Sequence, residues 1–187
     1  MFTLVSAGFA PALALMAFFY LKDQFDSEPI TAIIKTFLYG ALLVFPIMFI
    51  QYAFAEEGIG QNPWVQSFIL TASLEEFFKW FIFLYAVYKY PEFDSIYDGI
   101  IYGASISLGF ATVENILYLL AHGIEYAFSR ALFPVSSHAL FGVIMGYYVG
   151  RAKFKASSPK FMLLLSLMIP LLLHGIYDVI LQTVKNN

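Results

Sequence analysis

Long apolar runs alternate with short polar ones along the chain. The runs cover approximately Phe2–Leu21, Thr31–Ala55, Trp64–Tyr88, Gly99–Ala121, Ala131–Gly150 and Phe161–Thr183. Each is about 20 to 25 residues long, enough for one helical crossing of a ~30 Å hydrocarbon layer. Within a run, apolar residues do not alternate strictly with polar ones, and the runs are far longer than a barrel strand requires, so strands are not expected. The polar links, KDQFDSEP, EEGIGQNP, KYPEFDSIYD, HGIEYAFSR and RAKFKASSPK, are too short to hold a soluble domain. The pattern predicts an all-α fold: a polytopic helical membrane protein of about six transmembrane helices, with residues 1–187 forming one bundle and one domain.

Composition supports the membrane class. Hydrophobic residues make up 60% of the chain and charged residues only 12%, against roughly 45–50% and about 25% in soluble domains. The net charge of −3 gives no reason to expect a nucleic-acid partner. There is no cysteine, which excludes disulfides and thiolate sites. The first run lacks a basic leader and is long enough to span, so it reads as a retained helix kinked at Pro11. Lysine and arginine cluster in alternate loops: Lys22 with Lys35 just beyond it, then Lys89, then Arg151, Lys153, Lys155 and Lys160. The opposite side holds only Arg130 and Lys185. By the positive-inside bias, loops one, three and five face the cytoplasm and both termini face outward.

The candidates for chemistry are the ionisable groups deep in the apolar runs: Glu75, Glu76, Lys79, Glu114, His138, His174 and Asp178. Each charged group at a helix centre costs about 2.5–3.5 kcal/mol on insertion scales, so such groups face a bundle interior or a wet cavity and mark function by default. Glu75 and Lys79 are four residues apart with glutamate first, the favourable order for a helical ion pair. Glu76 points about 100° away from Glu75, and one lysine is not expected to neutralise both carboxylates. Glu114 follows the small-residue stripe Gly99, Gly103, Ser107, Ala111, and His138 begins the stripe His138, Gly142, Gly146, Gly150. Such stripes let helices approach closely, which turns both polar groups away from lipid. His174 and Asp178 are four apart, so a carboxylate can fix the imidazole tautomer. His122 reads as a solvated loop residue, and Ser136 and Ser137 lack the context of a nucleophile. Carboxylates and histidines drawn from four runs suit activation of a water molecule, by a carboxylate base or on a bound metal.

The residues Glu75-Glu76-x-x-Lys79, Phe110-x-x-x-Glu114-Asn115, His138 and His174-x-x-x-Asp178 resemble the PrsW family of bacterial intramembrane proteases. The likeness runs through nearly the whole chain, including KDQFDSEP, YDGIIYGASISLGFATVENILYL and SSHALFGVIMG. It implies a bacterial plasma-membrane enzyme that makes the site-1 cut in a single-pass anti-sigma factor of envelope-stress signalling. It also implies roles for Glu75, Glu76 and His174, and leaves metal use open. Members usually continue into a further hydrophobic segment, whereas this sequence stops at Asn187. A more distant similarity is to the type II CAAX prenyl endopeptidases and related immunity proteins, which carry arginine in a Glu-Glu-x-x-x-Arg pattern; Lys79, at shorter spacing, favours the first family. The reading that follows makes Glu75 the base, Glu76 and Glu114 acid or electrostatic partners, and His138 and His174 the groups that polarise the carbonyl, with Asp178 orienting His174. If a divalent metal such as zinc is held, Glu114, His138 and His174 are the expected ligands. The competing readings are a prenyl endopeptidase, a proton-coupled transporter and a non-catalytic immunity-type protein. Helix directions place every candidate at mid-membrane or in the outer half, with Glu75 about 16 Å below the outer face.

Overall fold

The computed structural model describes residues 1–23, 28–155 and 157–185. The middle of the KDQFDSEP loop and the last two positions, where the question of a further segment falls, lie outside the described residues. Six helices follow one another, and no strand occurs among the described residues. They are α1, Phe2–Lys22; α2, Ile30–Glu56; α3, residues 65–87; α4, Ile96–His122; α5, residues 127–154; and α6, Pro159–Lys185. Five helical stretches are long and apolar enough to cross a membrane, the fifth helix counting from Ile124. Helix α3 carries the three charges of the Glu-Glu-x-x-Lys motif and is divided into a π segment Val65–Ser73, an α segment Leu74–Ile82 and a second π segment Phe83–Val87.

Helix α4 is the axis of the bundle. From Ile101 to Thr112 every residue is buried, because α1, α2 and α5 all pack on it. Glycines allow this. A methyl group on Gly103 would overlap the Gly142 carbonyl, and one on Gly146 would overlap that of Gly99, so α4 and α5 touch backbone to backbone. A methyl on Gly40 would strike the Ile106 carbonyl, and one on Gly109 that of Phe37, so α2 crosses α4 as closely. Thr36 Oγ1 adds a 3.0 Å bond to Ser105 Oγ at this crossing. Without water in the bilayer core, close van der Waals packing at small residues is the main force holding such helices together.

The helix boundaries depart from the apolar runs in two places. Helix α4 starts at Ile96 rather than Gly99, because Ser95 and Asp98 form a capping box. The Ser95 hydroxyl accepts from the amides of Tyr97 and Asp98, and Asp98 Oδ2 accepts from the Ser95 amide at 2.6 Å. The link HGIEYAFSR is mostly helical: Gly123, at φ 111°, ends α4, and the chain is coiled again by Ile124. Arg130 is thereby fixed on a helix, while His122 is the exposed last residue of α4, stacked 4.1 Å from Tyr118.

Candidate active site

All six sequence candidates lie in one connected polar cluster at the meeting of α3, α4, α5 and α6. Lys79 is its centre. Its side chain is fully buried, and Nζ donates to Glu76 Oε1 at 2.9 Å and to His138 Nδ1 at 3.1 Å. It also lies 3.6 Å from Glu75 Oε2 and 4.2 Å above the Phe110 ring. One lysine therefore does reach both glutamates, contrary to expectation. At i, i+3 and i, i+4 it sits in the gap between them, nearer to Glu76.

Two arms extend from this centre. In the first, Glu76 Oε1 contacts His174 Nδ1 at 2.9 Å, and His174 Nε2 lies 3.5 Å from Asp178 Oδ2. The His174 ring stacks on Phe141, with centroids 5.0 Å apart. In the second arm, His138 Nε2 contacts Glu114 Oε2 at 3.1 Å. An ammonium can only donate, so His138 Nδ1 accepts and its Nε2–H donates to Glu114. The arm continues to Arg130, whose Nη2 donates to Glu114 Oε1 and whose Nε donates to Asn115 Oδ1, both at 3.0 Å. Asn115 Nδ2 donates in turn to the Gly8 carbonyl of α1 at 3.1 Å. A chain of polar contacts thus runs from α1 to α6.

The backbone around the cluster is irregular in a consistent way. The π segment Val65–Ser73 ends two residues before Glu75, and the π segment Ala131–Val135 ends just before Ser136, two residues before His138. Each wide turn is closed by a serine on the carbonyl five residues back: Ser73 to Phe68 at 2.5 Å, and Ser136 to Ala131 at 2.9 Å. A π segment adds a residue to the turn and so resets the helix phase, as such bulges often do at functional sites. Ser136 thus shapes the backbone ahead of His138.

Sequence reasoning missed Arg130, which it placed in an outer loop, and Gln51. Gln51 Nε2 donates to the Leu70 carbonyl and to Glu75 Oε1, both at 3.3 Å, tying α2 to the π segment and to Glu75. The available signal was a lone amide within an otherwise apolar run. Lys79, which the spacing pairs with Glu75 alone, is the hub of the cluster.

The donor set suits a divalent cation. Glu75, Glu76, His138 and His174 each offer a ligand atom, all within 4.8 Å of one another. Glu114, an expected ligand, is not in this group; Arg130 and His138 already engage its two oxygens. Buried Glu75 Oε2 and Glu76 Oε2 have no hydrogen-bond partner, and a buried carboxylate oxygen left unpaired is costly. The cluster's four carboxylates face two fixed cations, Lys79 and Arg130. Both facts leave a deficit of positive charge that a divalent ion would fill, while Lys79 would give up its bond to His138 Nδ1.

A helical membrane bundle with a buried cluster of carboxylates, imidazoles and one lysine is the framework of an intramembrane hydrolase. Residues 28–187 match the PrsW family intramembrane metalloprotease, and the chain belongs to that family. It is 57% identical over 178 residues to Protease PrsW of Geobacillus kaustophilus, covering 95% of this chain and 79% of that protein. With Protease PrsW of Bacillus subtilis it shares 55% over 187 residues, covering all of this chain and 86% of the relative. The likeness to Protease PrsW of Clostridioides difficile is 34% over 182 residues, covering 92% of this chain and 76% of that protein. No solved structure matches the chain. The protein is therefore a multi-pass membrane peptidase, which sets aside the transporter and immunity readings.

Proposed function

We propose that this peptidase hydrolyses a peptide bond of a single-pass anti-sigma factor near its extracytoplasmic membrane boundary, the site-1 cut of envelope-stress signalling. The observation that carries this reading is the single buried cluster combined with the direction of its helices. Glu75 and Glu114 border a cavity whose rim is Ala121 and His122, at the end of α4 that the basic loops assign to the outer face.

Glu75 is the general base. It is the motif glutamate that borders the cavity, and its Oε2 has no hydrogen-bond partner. Glu76 is held by Lys79 and His174, so it organises charge rather than meeting substrate. Both nitrogens of His138 are engaged, so Glu114 and Arg130 act by fixing its ring and tautomer. Asp178 does the same for His174. Lys79, close to Glu75 and buried, supplies the positive charge nearest the developing oxyanion, where a low dielectric strengthens it. A divalent ion such as zinc would be held by a carboxylate oxygen of Glu76 with His138 and His174, leaving Glu75 as the base, and would polarise the carbonyl and acidify bound water.

The test is cleavage of the anti-sigma factor by purified protein in proteoliposomes, with and without a strong chelator. Cleavage on the outer side, lost in Glu75→Gln, supports the reading. An intact substrate with properly inserted wild-type enzyme overturns it.

A further inference from the structure

Helices α2 and α4 run side by side in the same direction: Thr36 meets Ser105, Gly40 meets Ile106, and Val44 and Ile47 meet Phe110. At the glycine crossing their backbones touch. Towards their outer ends they part, leaving a cavity of about 370 Å³ lined on one wall by Val44, Met48 and Gln51, and on the other by Phe110, Glu114 and Leu117. Thr71 and Glu75 form its floor. A second hollow of about 430 Å³ continues outward, sharing Gln51 and Thr71 and reaching the loop at Gly58–Gln61. The rim is open on the flank: Met48 is 45% exposed on the surface that meets lipid.

We propose that this crevice is the substrate cleft, and that it takes an extended, apolar stretch of a single-pass membrane protein entering sideways from the lipid past Met48. The proposal rests on the proteolytic reading above and adds where and in what conformation substrate binds. Among the described cavities, this one alone is bordered by two carboxylates of the cluster. The hollow beside Arg130 is lined by no carboxylate, and the one beside Ile100 and Ile169 lies towards the cytoplasmic half.

The lining chemistry specifies the occupant. A helix about 10–12 Å across with its side chains would hide its own carbonyls and overfill the space. An unwound strand presents its carbonyls, but each backbone group it frees costs several kcal/mol in hydrocarbon unless satisfied. The Thr71 hydroxyl on the floor and Gln51 Oε1 on the wall offer hydrogen-bonding groups, Gln51 Nε2 being held by Leu70 and Glu75, while Val44, Met48, Phe110 and Leu117 supply apolar walls for the side chains. The volume lies in the range of about 300–1,000 Å³ typical of ligand pockets. The scissile carbonyl then lies over Glu75, and the chain leaves through the second hollow to the outer surface. The glycine crossing closes the far end and sets how deep the substrate can reach.

Filling the mouth tests this. Met48→Trp should raise KM for the anti-sigma factor at least about tenfold with kcat changed by less than about twofold. Phe49→Trp, on the neighbouring lipid-facing position that is 72% exposed, should leave both unchanged. A second measurement covers poor insertion of Met48→Trp. In the cysteine-free chain, the thiol of Met48→Cys, placed in a Glu75→Gln background that holds substrate uncut, should be shielded from a maleimide by the anti-sigma factor. The thiol of Phe49→Cys should not. If wild type cuts the substrate but Met48→Trp keeps its KM and Met48→Cys labels equally with and without substrate, the cleft assignment is wrong and the proteolytic reading stands. If wild type fails to cut at all, both fall together.

Discussion

Removing the Lys79 ammonium should unbalance the whole cluster, and the size of the effect can be worked from its contacts. Lys79→Met keeps the length and apolar stem of the side chain. It removes the 2.9 Å bond to Glu76, the 3.6 Å pairing with Glu75, the 3.1 Å bond to His138 and the cation–π contact with Phe110. Because Lys79 and Glu76 are both fully buried, neither lost partner is replaced by water. Breaking a buried pair by removing one member costs about 3–5 kcal/mol, chiefly because a charge is left uncompensated. For a chain of this size each kcal/mol shifts Tm by about 2–4 °C, so a fall of roughly 6–20 °C is expected. Trp80 reports the event: it lies on α3 one residue from Lys79, and its Nε1 is bonded to Ser166 of α6 at 2.9 Å. Intrinsic fluorescence during a thermal scan in detergent therefore follows the separation of these two helices. The decisive comparison is Glu76→Gln with Lys79→Met, which removes the stranded charge and should be more stable than Lys79→Met alone. A single variant within about 1 kcal/mol of wild type, or a double variant no more stable than the single, would refute the account of Lys79 as the hub.

Four other outcomes follow from the same geometry. Glu75→Gln should lower cleavage at least about 10²-fold, the low end for general acid–base catalysis, and unchanged turnover in an inserted variant would remove Glu75 as the base. A strong chelator should abolish cleavage and also lower Tm, since an ion bound only by the folded cluster stabilises it by mass action; activity that survives chelation excludes a catalytic metal. A single cysteine at position 114, which borders the outward cavity, should react with an impermeant thiol reagent from outside, and labelling only from the cytoplasmic side would reverse the topology. Outside the spans, burial pushes the Glu28 carboxyl up to about 8, with Asp98 and Asp94 adding to it and the Tyr102 hydroxyl partly relieving it. A folded state that holds this proton more tightly than the unfolded chain loses stability as pH rises from about 4.5 to about 8. Glu28→Gln should flatten Tm across that window, and an unchanged slope would show that another group sets it.

The helices were legible because lipid imposes a length on them that composition alone reveals. Their ends were less so. The start of α4 is fixed by Ser95 and Asp98, a capping signal spelled out in DSIYD but hidden by reading only the apolar run. The link HGIEYAFSR looked like a loop because Glu125 and Arg130 are charged. In the structure Gly123 alone makes the break, and the chain coils again at once. The tight crossings were half legible. The stripes Gly99–Gly103 and Gly142–Gly146 announced close packing, but nothing local said they would face each other, nor that Gly40 and Gly109 would bring α2 against the other side of α4.

The site divides along the same line. Glu75, Glu76, Glu114, His138, His174 and Asp178 could be read singly, because a charge in an apolar run is costly wherever it falls. Their partners could not. Whether Lys79 serves Glu75 or Glu76 depends on rotamers within a fraction of a turn, and whether Arg130 reaches Glu114 depends on a helix starting four residues earlier than the apolar pattern suggests. The π segments are further from view, since Ser73 and Ser136 carry no mark that distinguishes them from any polar residue in a helix. Yet each shifts the phase of the turn that presents Glu75 or His138. Least visible of all is the crevice beside Glu75, because it is a property of two helices and of neither alone. Small residues at Gly40 and Gly109 pull α2 and α4 together at one level. The bulk of Met48, Phe110, Leu117 and Tyr118 farther out prevents the same approach there. Straight helices that touch at one level and are held apart at another must diverge, and the opening falls where the cluster's carboxylates stand.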